Sequence, residues 1–162
     1  MDKETEKTFK WCLERKAPGL RKIEPDLSRA KSHLNRARGN LEVMAYLHEG
    51  GYHDWVIATG YYAMYHASLA ALLVKGIEGK DHNCVVVALR HLYVELVDVE
   101  GMENAYLLER KLVENLDKAR VARINIQYGV SKIVATDIDW IIPASRDFVN
   151  KTEELIHNYQ TK

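Results

Sequence analysis

Residues 55–74 read WVIATGYYAMYHASLAALLV and contain no formally charged residue, although Asp54 and Lys75 stand at either end. A segment that is apolar on nearly every side is either the buried helix of a soluble protein or a membrane span. Tyrosines of spanning helices gather at the membrane interfaces, whereas Tyr61 and Tyr62 lie in the middle here. The segment therefore favours the central helix of a soluble helical bundle, with no membrane involved.

Projection of this helix at about 100° per residue separates two faces. One face carries three polar groups among apolar neighbours, namely Thr59, Tyr62 and His66. The other face carries small residues such as Gly60 and Ser68, which would let a neighbouring helix approach closely. Buried hydroxyl and imidazole groups need hydrogen-bond partners. The three polar groups either satisfy one another and nearby backbone carbonyls, or they help to line a binding site.

The other segments also show helical spacing of their apolar residues. Besides the central helix at 54–76, we predict helices at about residues 2–16, 26–50, 81–99, 102–126 and 136–159. The helix at 26–50 has a seven-residue apolar repeat and should form an antiparallel hairpin with the central helix. The predicted fold is all-α, an up-and-down bundle of five to six helices without β-sheet. It occupies residues 25–162, preceded by an N-terminal helical extension at 1–24.

Local signals indicate where several helices begin and end. They are Asp26 and Asp81 as N-caps, Gly76 and Gly79 after the central helix, and Thr136 with Asp139 as a capping box. Pro143 should kink or restart the last helix, because it lacks a backbone donor. Residues 85–87 are three valines with strand propensity, but their neighbours keep helical spacing, so we predict a helix there.

Composition indicates one globular domain of 162 residues, with 47% hydrophobic and 28% charged residues. Cys12 and Cys84 are far apart and fit no metal or redox spacing, so we expect two reduced thiols in a cytoplasmic protein. The charged start MDKETEKTFK does not resemble a signal peptide. The seven histidines form no HExxH or comparable pair, so we expect no metal site and no other cofactor.

Charge is unevenly distributed along a chain of zero net charge. Residues 1–40 carry eleven Lys/Arg and six Asp/Glu, a balance of +5, and residues 41–162 carry a balance of −5. This asymmetry would suit either a basic surface for nucleic acid or docking of the N-terminal helices on the rest of the bundle. Aromatic residues do not interleave with the basic ones, which slightly favours docking.

The predicted fifth helix contains one residue that breaks its pattern. Its apolar stripe consists of Ala105, Leu108, Leu112, Leu116 and Ala119. Continued projection places Arg123 near the centre of this stripe, with Arg120 on its flank and Asn125, Gln127 and Tyr128 just after it. A buried guanidinium needs a carboxylate, carbonyl groups or a ligand phosphate. Alternatively, the stripe has run past the core and Arg123 lies in solvent.

Three segments resemble the HEPN domain, especially its small stand-alone prokaryotic members. They are SRAKSHLNRARGNLEVMAYLHEGGYHDW at 28–55, ATGYYAMYHASLAALLVKGIEGKDH at 58–82 and ARVARINIQYG at 119–129. The family's tyrosine pair, aromatic-His-Ala segment, Lys-Thr-His turn and Arg-Asn ending have counterparts at 61–62, 65–67, 80–82 and 123–128. The resemblance covers roughly residues 26–160.

The resemblance implies a dimerising bundle that binds nucleotide or RNA and has a minimal nucleotidyltransferase partner in a toxin–antitoxin-like pair. In active members an arginine followed by a histidine forms a metal-independent ribonuclease site near the dimer cleft. Arg123 is kept here, but Tyr128 stands in the histidine position, and Ile124 and Gln127 replace the usual Asn and Asp. Cleavage through a 2′-hydroxyl wants a proton acceptor with a pKa near 7, which histidine provides and phenol does not.

We therefore expect phosphate binding at Arg123, in a cleft that two subunits share near Tyr62 and His66, and we assign no catalytic residue. The candidate ligand-binding residues are Arg123, Arg120, Asn125, Gln127, Tyr128, Tyr62, His66 and His82. The rival functions are a metal-independent ribonuclease toxin and a non-catalytic interaction or dimerisation module.

Tyr128 follows Arg123 by five residues, about 140° round a continuous helix. The two side chains can converge only if the helix breaks between Ile126 and Gly129. We predict that break, with the Tyr128 hydroxyl near the Arg123 guanidinium. The alternative is that the Tyr128 ring packs against the final helix.

Overall fold

A computed structural model describes residues 3–17, 19–95, 110–130 and 132–160 of the chain. Its elements are α1 (Lys3–Glu14), β1 (Leu20–Lys22), α2 (Leu27–Glu49), α3 (His53–Val74), β2 (Ile77–Gly79), α4 (His82–Leu89), a π-helical turn (Arg90–Glu95), α5 (Arg110–Tyr128), α6 (Ala135–Ile138) and α7 (Ile141–Gln160). The predicted all-α bundle is confirmed, because helices build the core and the two strands are three residues each.

The α2–α3 hairpin is the centre of the bundle. The Asp26 carboxylate accepts a hydrogen bond from the Arg29 backbone N–H at 2.9 Å, as expected of an N-cap. Gly51 has a φ of 74°, which lets the chain reverse between the two helices. A Cβ at Gly60 would lie 2.7 Å from Cγ1 of Ile141, so α7 packs directly on the small-residue face of α3.

Helix α3 is also the element that most resembles a membrane span. In the described part of the chain it alone is long and apolar enough to cross a bilayer, by length and composition only. Other parts of the structure bury 67% of its most apolar window. Burial of that extent is typical of the core helix of a soluble protein, as predicted.

The prediction of no β-sheet is wrong at one place. β1 pairs with β2 in antiparallel orientation, with Leu20 opposite Gly79 and Lys22 opposite Ile77. Gly79 therefore belongs to a strand, and Gly76, with a φ of 71°, closes α3. Backbone N–H and C=O groups beyond the end of a helix still need hydrogen-bond partners. The segment after α1 and the segment after α3 provide these partners to each other. Residues 85–87 are helical, as predicted.

The prediction of two reduced thiols is also wrong, because Cys12 and Cys84 form a disulfide. Both cysteines are 1% exposed, and their Cα atoms lie 5.8 Å apart although 72 positions separate them. Docking of α1 against α4 brings them together, which spacing along the chain cannot reveal. The expected cytoplasmic location rested partly on free thiols, since reducing compartments disfavour disulfides. It loses that support and stays a prediction.

Ion pairs account for much of the charge asymmetry. Those that join the first 40 residues to the rest are Arg15–Asp81, Arg21–Glu78, Arg29–Glu78 and Arg38–Glu153. Each is at least partly exposed and contributes about 0–1 kcal/mol at most. Together they support the docking interpretation of the basic N-terminal segment. The division of the chain at residues 24 and 25 stays a prediction.

The fourth and fifth helices agree with the predictions where the structure describes them. Asp81 caps α4 by accepting a hydrogen bond from the Cys84 backbone N–H at 3.0 Å. A π-helical turn then continues α4 to Glu95. Residues 96–109, which include the predicted separation at Gly101 and the predicted start of the fifth helix, lie outside the described residues.

The predicted start of the last helix needs correction. Asp137, rather than Asp139, caps the backbone: its carboxylate accepts a hydrogen bond from the Val134 N–H at 2.8 Å, so the cap precedes the predicted Thr136. This cap begins the short helix α6, and α7 starts separately at Ile141. Pro143 lies in the first turn of α7, where a missing N–H costs little. The predicted restart is therefore confirmed.

Candidate functional site

Arg123 is half-buried on α5 against two tyrosine rings of α3. Its guanidinium carbon lies 5.2 Å from the ring centroid of Tyr61 and 5.7 Å from that of Tyr62. Nη1 donates to the Tyr62 hydroxyl and to Oε1 of Gln127, each at 3.3 Å. No described carboxylate lies within 4 Å of it, so ring faces and neutral oxygens stabilise the charge. Arg123 thus lies at the edge of the core. This position is intermediate between the two predicted environments, a buried stripe and open solvent.

A cavity of about 490 Å³ opens beside Arg123. The residues that line it are Asp54, Trp55, Ala58, Tyr62, Arg123, Ile126 and Gln127. The volume lies within the range of about 300–1,000 Å³ that is typical of small-molecule sites. The cavity combines a guanidinium, a carboxylate and an indole that is 63% exposed. Such a lining suits a planar ligand with an anionic group.

An imidazole lies on the other side of the same tyrosine pair. His82 begins α4, and its Nδ1 is hydrogen-bonded to the Tyr61 hydroxyl. The His82 ring also stacks on Tyr65, with centroids 4.1 Å apart and planes 9° from parallel. Burial lowers the pKa of His82, and the Arg123 charge lowers it further. Burial raises the pKa of Tyr61 well above 10, so a neutral phenol and a neutral imidazole share this hydrogen bond at pH 7.

The remaining arginine and amide candidates fall into different places. Gln127 contacts Arg123 in the cavity, but Arg120 pairs with Asp117 through Nε and Oδ1 at 2.9 Å. Asn125 lines a second cavity, of about 330 Å³, between α5 and the chain leading to α7. Of these residues of α5, only Gln127 thus shares the cavity of Arg123, although all are close in sequence.

Tyr128 does not join the site in the way we predicted. Helix α5 ends at Tyr128, so the predicted break between Ile126 and Gly129 is confirmed, but the helix is regular up to Tyr128 and the 140° offset from Arg123 remains. The Tyr128 side chain is 80% exposed and has no hydrogen bond to Arg123. Because the side chain is this exposed, its ring does not pack against the final helix either. Both predicted placements are therefore wrong, and its role in binding a ligand stays a prediction.

His66 pairs with a histidine of the neighbouring helix. Its Nδ1 lies 3.0 Å from Nδ1 of His33 on α2. Burial lowers the pKa of His66 to about 4, with a smaller effect of His33, and burial also lowers the pKa of His33. The Thr59 hydroxyl donates to the Trp55 carbonyl at 2.7 Å. All three polar groups on this face thus have partners within the chain, and of the three only Tyr62 contacts Arg123.

Sequence reasoning missed three contributors to this site. Trp55 lies on the predicted Tyr62 face, and Asp54 directly precedes it, so periodicity could have indicated both. The resemblance names Tyr61 only as half of the tyrosine pair, and it falls about 100° away from Tyr62 round the helix. Only the packing of α5 and α4 against it shows that Tyr61 links Arg123 with His82.

The fold and the site define a class: a small helical-bundle protein whose Arg123 lies against a tyrosine pair and has no carboxylate partner among the described residues. A family model, described as HEPN domain, matches residues 30–157. The match covers more than half of the chain, and the chain therefore belongs to the HEPN domain family, as the resemblance indicated. Membership supports a nucleotide- or RNA-related function. A search of curated proteins found no match.

Proposed function

We propose that this chain binds RNA or nucleotides and holds a ligand phosphate at Arg123. The observation that carries the proposal is a half-buried guanidinium with no described carboxylate partner, on the wall of a cavity of about 490 Å³. Hydrogen bonds between guanidinium and phosphate are charge-assisted and often bidentate. The rings of Tyr61 and Tyr62 orient the guanidinium before the ligand arrives, which lowers the entropic cost of binding.

The protein acts, in this proposal, as a cytoplasmic homodimer within a toxin–antitoxin-like pair whose other member is a minimal nucleotidyltransferase. Support comes from the family resemblance and from exposed aromatic and aliphatic side chains next to the cavity residues in sequence. These are Tyr52, Tyr128 and Val130, each more than half exposed. In the dimer the two copies of Arg123 approach a shared cleft near Tyr62 and His66. Light scattering that gives a monomer at micromolar concentration would contradict the dimer.

A metal-independent ribonuclease is the second candidate, and one observation favours it. His82 is hydrogen-bonded to Tyr61, whose ring lies against Arg123. The lowered pKa keeps this imidazole neutral near pH 7, which a proton acceptor for a 2′-hydroxyl requires. His82 would then supply the group that Tyr128 cannot.

One experiment distinguishes these functions. Fluorescein-labelled single-stranded RNA is titrated with the full chain in EDTA, with anisotropy reporting binding and gel electrophoresis reporting cleavage. We expect binding without cleavage, and an affinity loss of about 10- to 100-fold in Arg123→Ala, since a hydrogen bond to a charged group contributes about 1.5–3 kcal/mol. Arg146→Ala, at an exposed arginine of α7, is the matched control and should bind normally.

Two results would change the conclusion. Cleavage in EDTA that disappears in both Arg123→Ala and His82→Ala would establish the ribonuclease instead. Absence of binding to RNA and to all nucleotides would reject the proposed function and leave a non-catalytic interaction module.

A further inference from the structure

The cavity beside Arg123 has an aromatic wall and an acidic group that a phosphate contact does not use. Trp55 and Asp54 both lie in the first turn of α3 and both line the cavity. Trp55 is 63% exposed, and Asp54 is exposed as well. A ligand of this cavity can therefore contact an open indole and a carboxylate as well as the Arg123 guanidinium.

We propose that this cavity binds a guanine base, stacked on Trp55 and hydrogen-bonded to the Asp54 carboxylate, in a nucleotide whose phosphate contacts Arg123. The inference rests on the proposed function and adds the identity of the base.

The open face of Trp55 is the first argument. The other two tryptophans have a cation over the ring: Arg15 lies 4.6 Å from the Trp11 centroid, and Lys118 lies 3.9 Å from the Trp140 centroid. Among the described residues, no cation or aromatic ring covers Trp55. Unstacked RNA bases are commonly bound on aromatic side chains, and each such contact contributes about 1–3 kcal/mol. Trp55 is therefore available for stacking.

The separation of charge in the cavity is the second argument. Asp54 and Arg123 line the same cavity, yet they form no ion pair within 4 Å, and no described cation pairs with Asp54. The two opposite charges thus remain available to one ligand. A nucleotide matches them, because its phosphate is an anion and the edge of its base carries hydrogen-bond donors. The charges also orient the nucleotide, since reversal would place the phosphate beside the carboxylate.

The carboxylate selects among the bases. An ionised carboxylate only accepts hydrogen bonds, and it has two oxygens side by side. Guanine presents two adjacent donors, N1–H and the N2 amino group, on its Watson–Crick edge. Adenine and cytosine present a donor beside an acceptor, and uracil presents a donor between two acceptors. Guanine is therefore the one common RNA base that can satisfy both oxygens of Asp54 without placing an acceptor against them.

The experiment titrates the full chain with GMP, AMP, CMP and UMP, using tryptophan fluorescence and calorimetry. We expect GMP to quench fluorescence and to bind about tenfold or more tightly than UMP. Trp55→Ala should weaken GMP binding about tenfold, in keeping with the usual contribution of base stacking. Asp54→Asn should bring the four affinities to within about threefold of one another, because an amide presents one donor and one acceptor.

Matched controls are available for both variants. Trp11 is 55% exposed and lies on α1, so Trp11→Ala tests loss of an exposed indole elsewhere. Asp147→Asn removes an exposed carboxylate of α7. Both controls should bind GMP like the unmodified chain, and circular dichroism should show unchanged helix content in all four variants.

The outcomes separate this inference from the proposed function. Binding that requires Arg123 but is unchanged in Trp55→Ala, or equal for all four nucleotides, would overturn the guanine site and leave the proposed function intact. The same holds if Trp55→Ala converts a dimer to a monomer without changing nucleotide affinity. Failure of every nucleotide and RNA to bind would overturn both.

Discussion

Two regions meet at the first turn of α4 and differ in how their polar groups are satisfied. One is the clasp, formed by the Cys12–Cys84 disulfide, the Arg15–Asp81 ion pair and the pairing of β1 with β2. The other is the cavity beside Arg123, which the tyrosine pair connects to His82. In the clasp the charges face opposite charges and the cysteines are buried. In the cavity a guanidinium has no described carboxylate partner.

The difference indicates which region stabilises the fold and which binds a ligand. Groups that are already paired within the chain contribute to the free energy of unfolding and have little left to offer a ligand. Groups that are held in place but not paired contribute little to folding and remain available for binding. Substitutions in the clasp should therefore change stability, and substitutions in the cavity should change affinity.

Loss of the disulfide should have the largest effect. The bond closes a loop across 72 positions, and the chain-entropy relation gives a loss of about 4 kcal/mol for a loop of this size. Guanidinium unfolding of the Cys12→Ser/Cys84→Ser double variant would measure this loss, and RNA affinity should stay unchanged. Dithiothreitol should destabilise the unmodified chain alone. Equal stability of both proteins under oxidising conditions would contradict the prediction.

A pair of arginine substitutions should separate the two regions directly. Arg15→Ala leaves the partly exposed Asp81 without its partner, so we expect a loss of up to about 1 kcal/mol of unfolding free energy and normal RNA binding. Arg123→Ala should do the reverse, with weaker RNA binding and nearly unchanged stability. Both proteins would be measured by urea unfolding and anisotropy. If each variant changed both quantities equally, the distinction between the regions would fail.

The His33–His66 pair should give a smaller effect that depends on pH. Burial lowers the pKa of both imidazoles, that of His66 to about 4, so the folded state binds fewer protons than the unfolded state. The stability this provides is fully present above pH 6.5 and is lost as the pH falls toward 4. A His33→Leu/His66→Leu variant should lose less stability over this window in urea unfolding. Parallel pH profiles for the two proteins would show that other groups are responsible.

Removal of the Tyr128 hydroxyl should have the smallest effect. Tyr128 is 80% exposed, so Tyr128→Phe should leave the free energy of unfolding unchanged. Tyr93→Phe is the contrasting control, because its buried hydroxyl donates to the Ala71 carbonyl and the loss of such a bond costs about 1 kcal/mol. Thermal unfolding of the two variants makes the comparison. A destabilised Tyr128→Phe would mean that this hydroxyl has a partner.

Local signals in the sequence predicted the parts of the fold that depend on neighbouring residues. Asp26 and Asp81 cap helices as expected, because an N-cap bonds a backbone group three residues away. The prediction failed for Asp139, where Asp137 provides the cap instead, and for the side chain of Tyr128, which does not bond Arg123 although α5 ends within the predicted interval. For Asp139, a shift of two residues in the helix start changed which carboxylate provides the cap. For Tyr128, α5 stayed regular up to its last residue, so the angular offset from Arg123 was kept.

Long-range contacts of the site could not be predicted in the same way. Periodicity placed Arg123 on an apolar stripe, and that was informative, but it did not show which helix would face it. The contacts of Tyr61 with both Arg123 and His82, and the open face of Trp55, depend on how α3, α4 and α5 pack.

The sequence by itself therefore determined the helical bundle, its buried central helix and the arginine around which a site is built. Those features follow from apolar periodicity and composition, which act over one or two helical turns. Only the tertiary structure decided that Cys12 meets Cys84, that β1 pairs with β2 and that Arg123 has two tyrosine rings and no described carboxylate beside it. Such contacts depend on how helices that are distant along the chain pack together, and that arrangement is a property of the whole core.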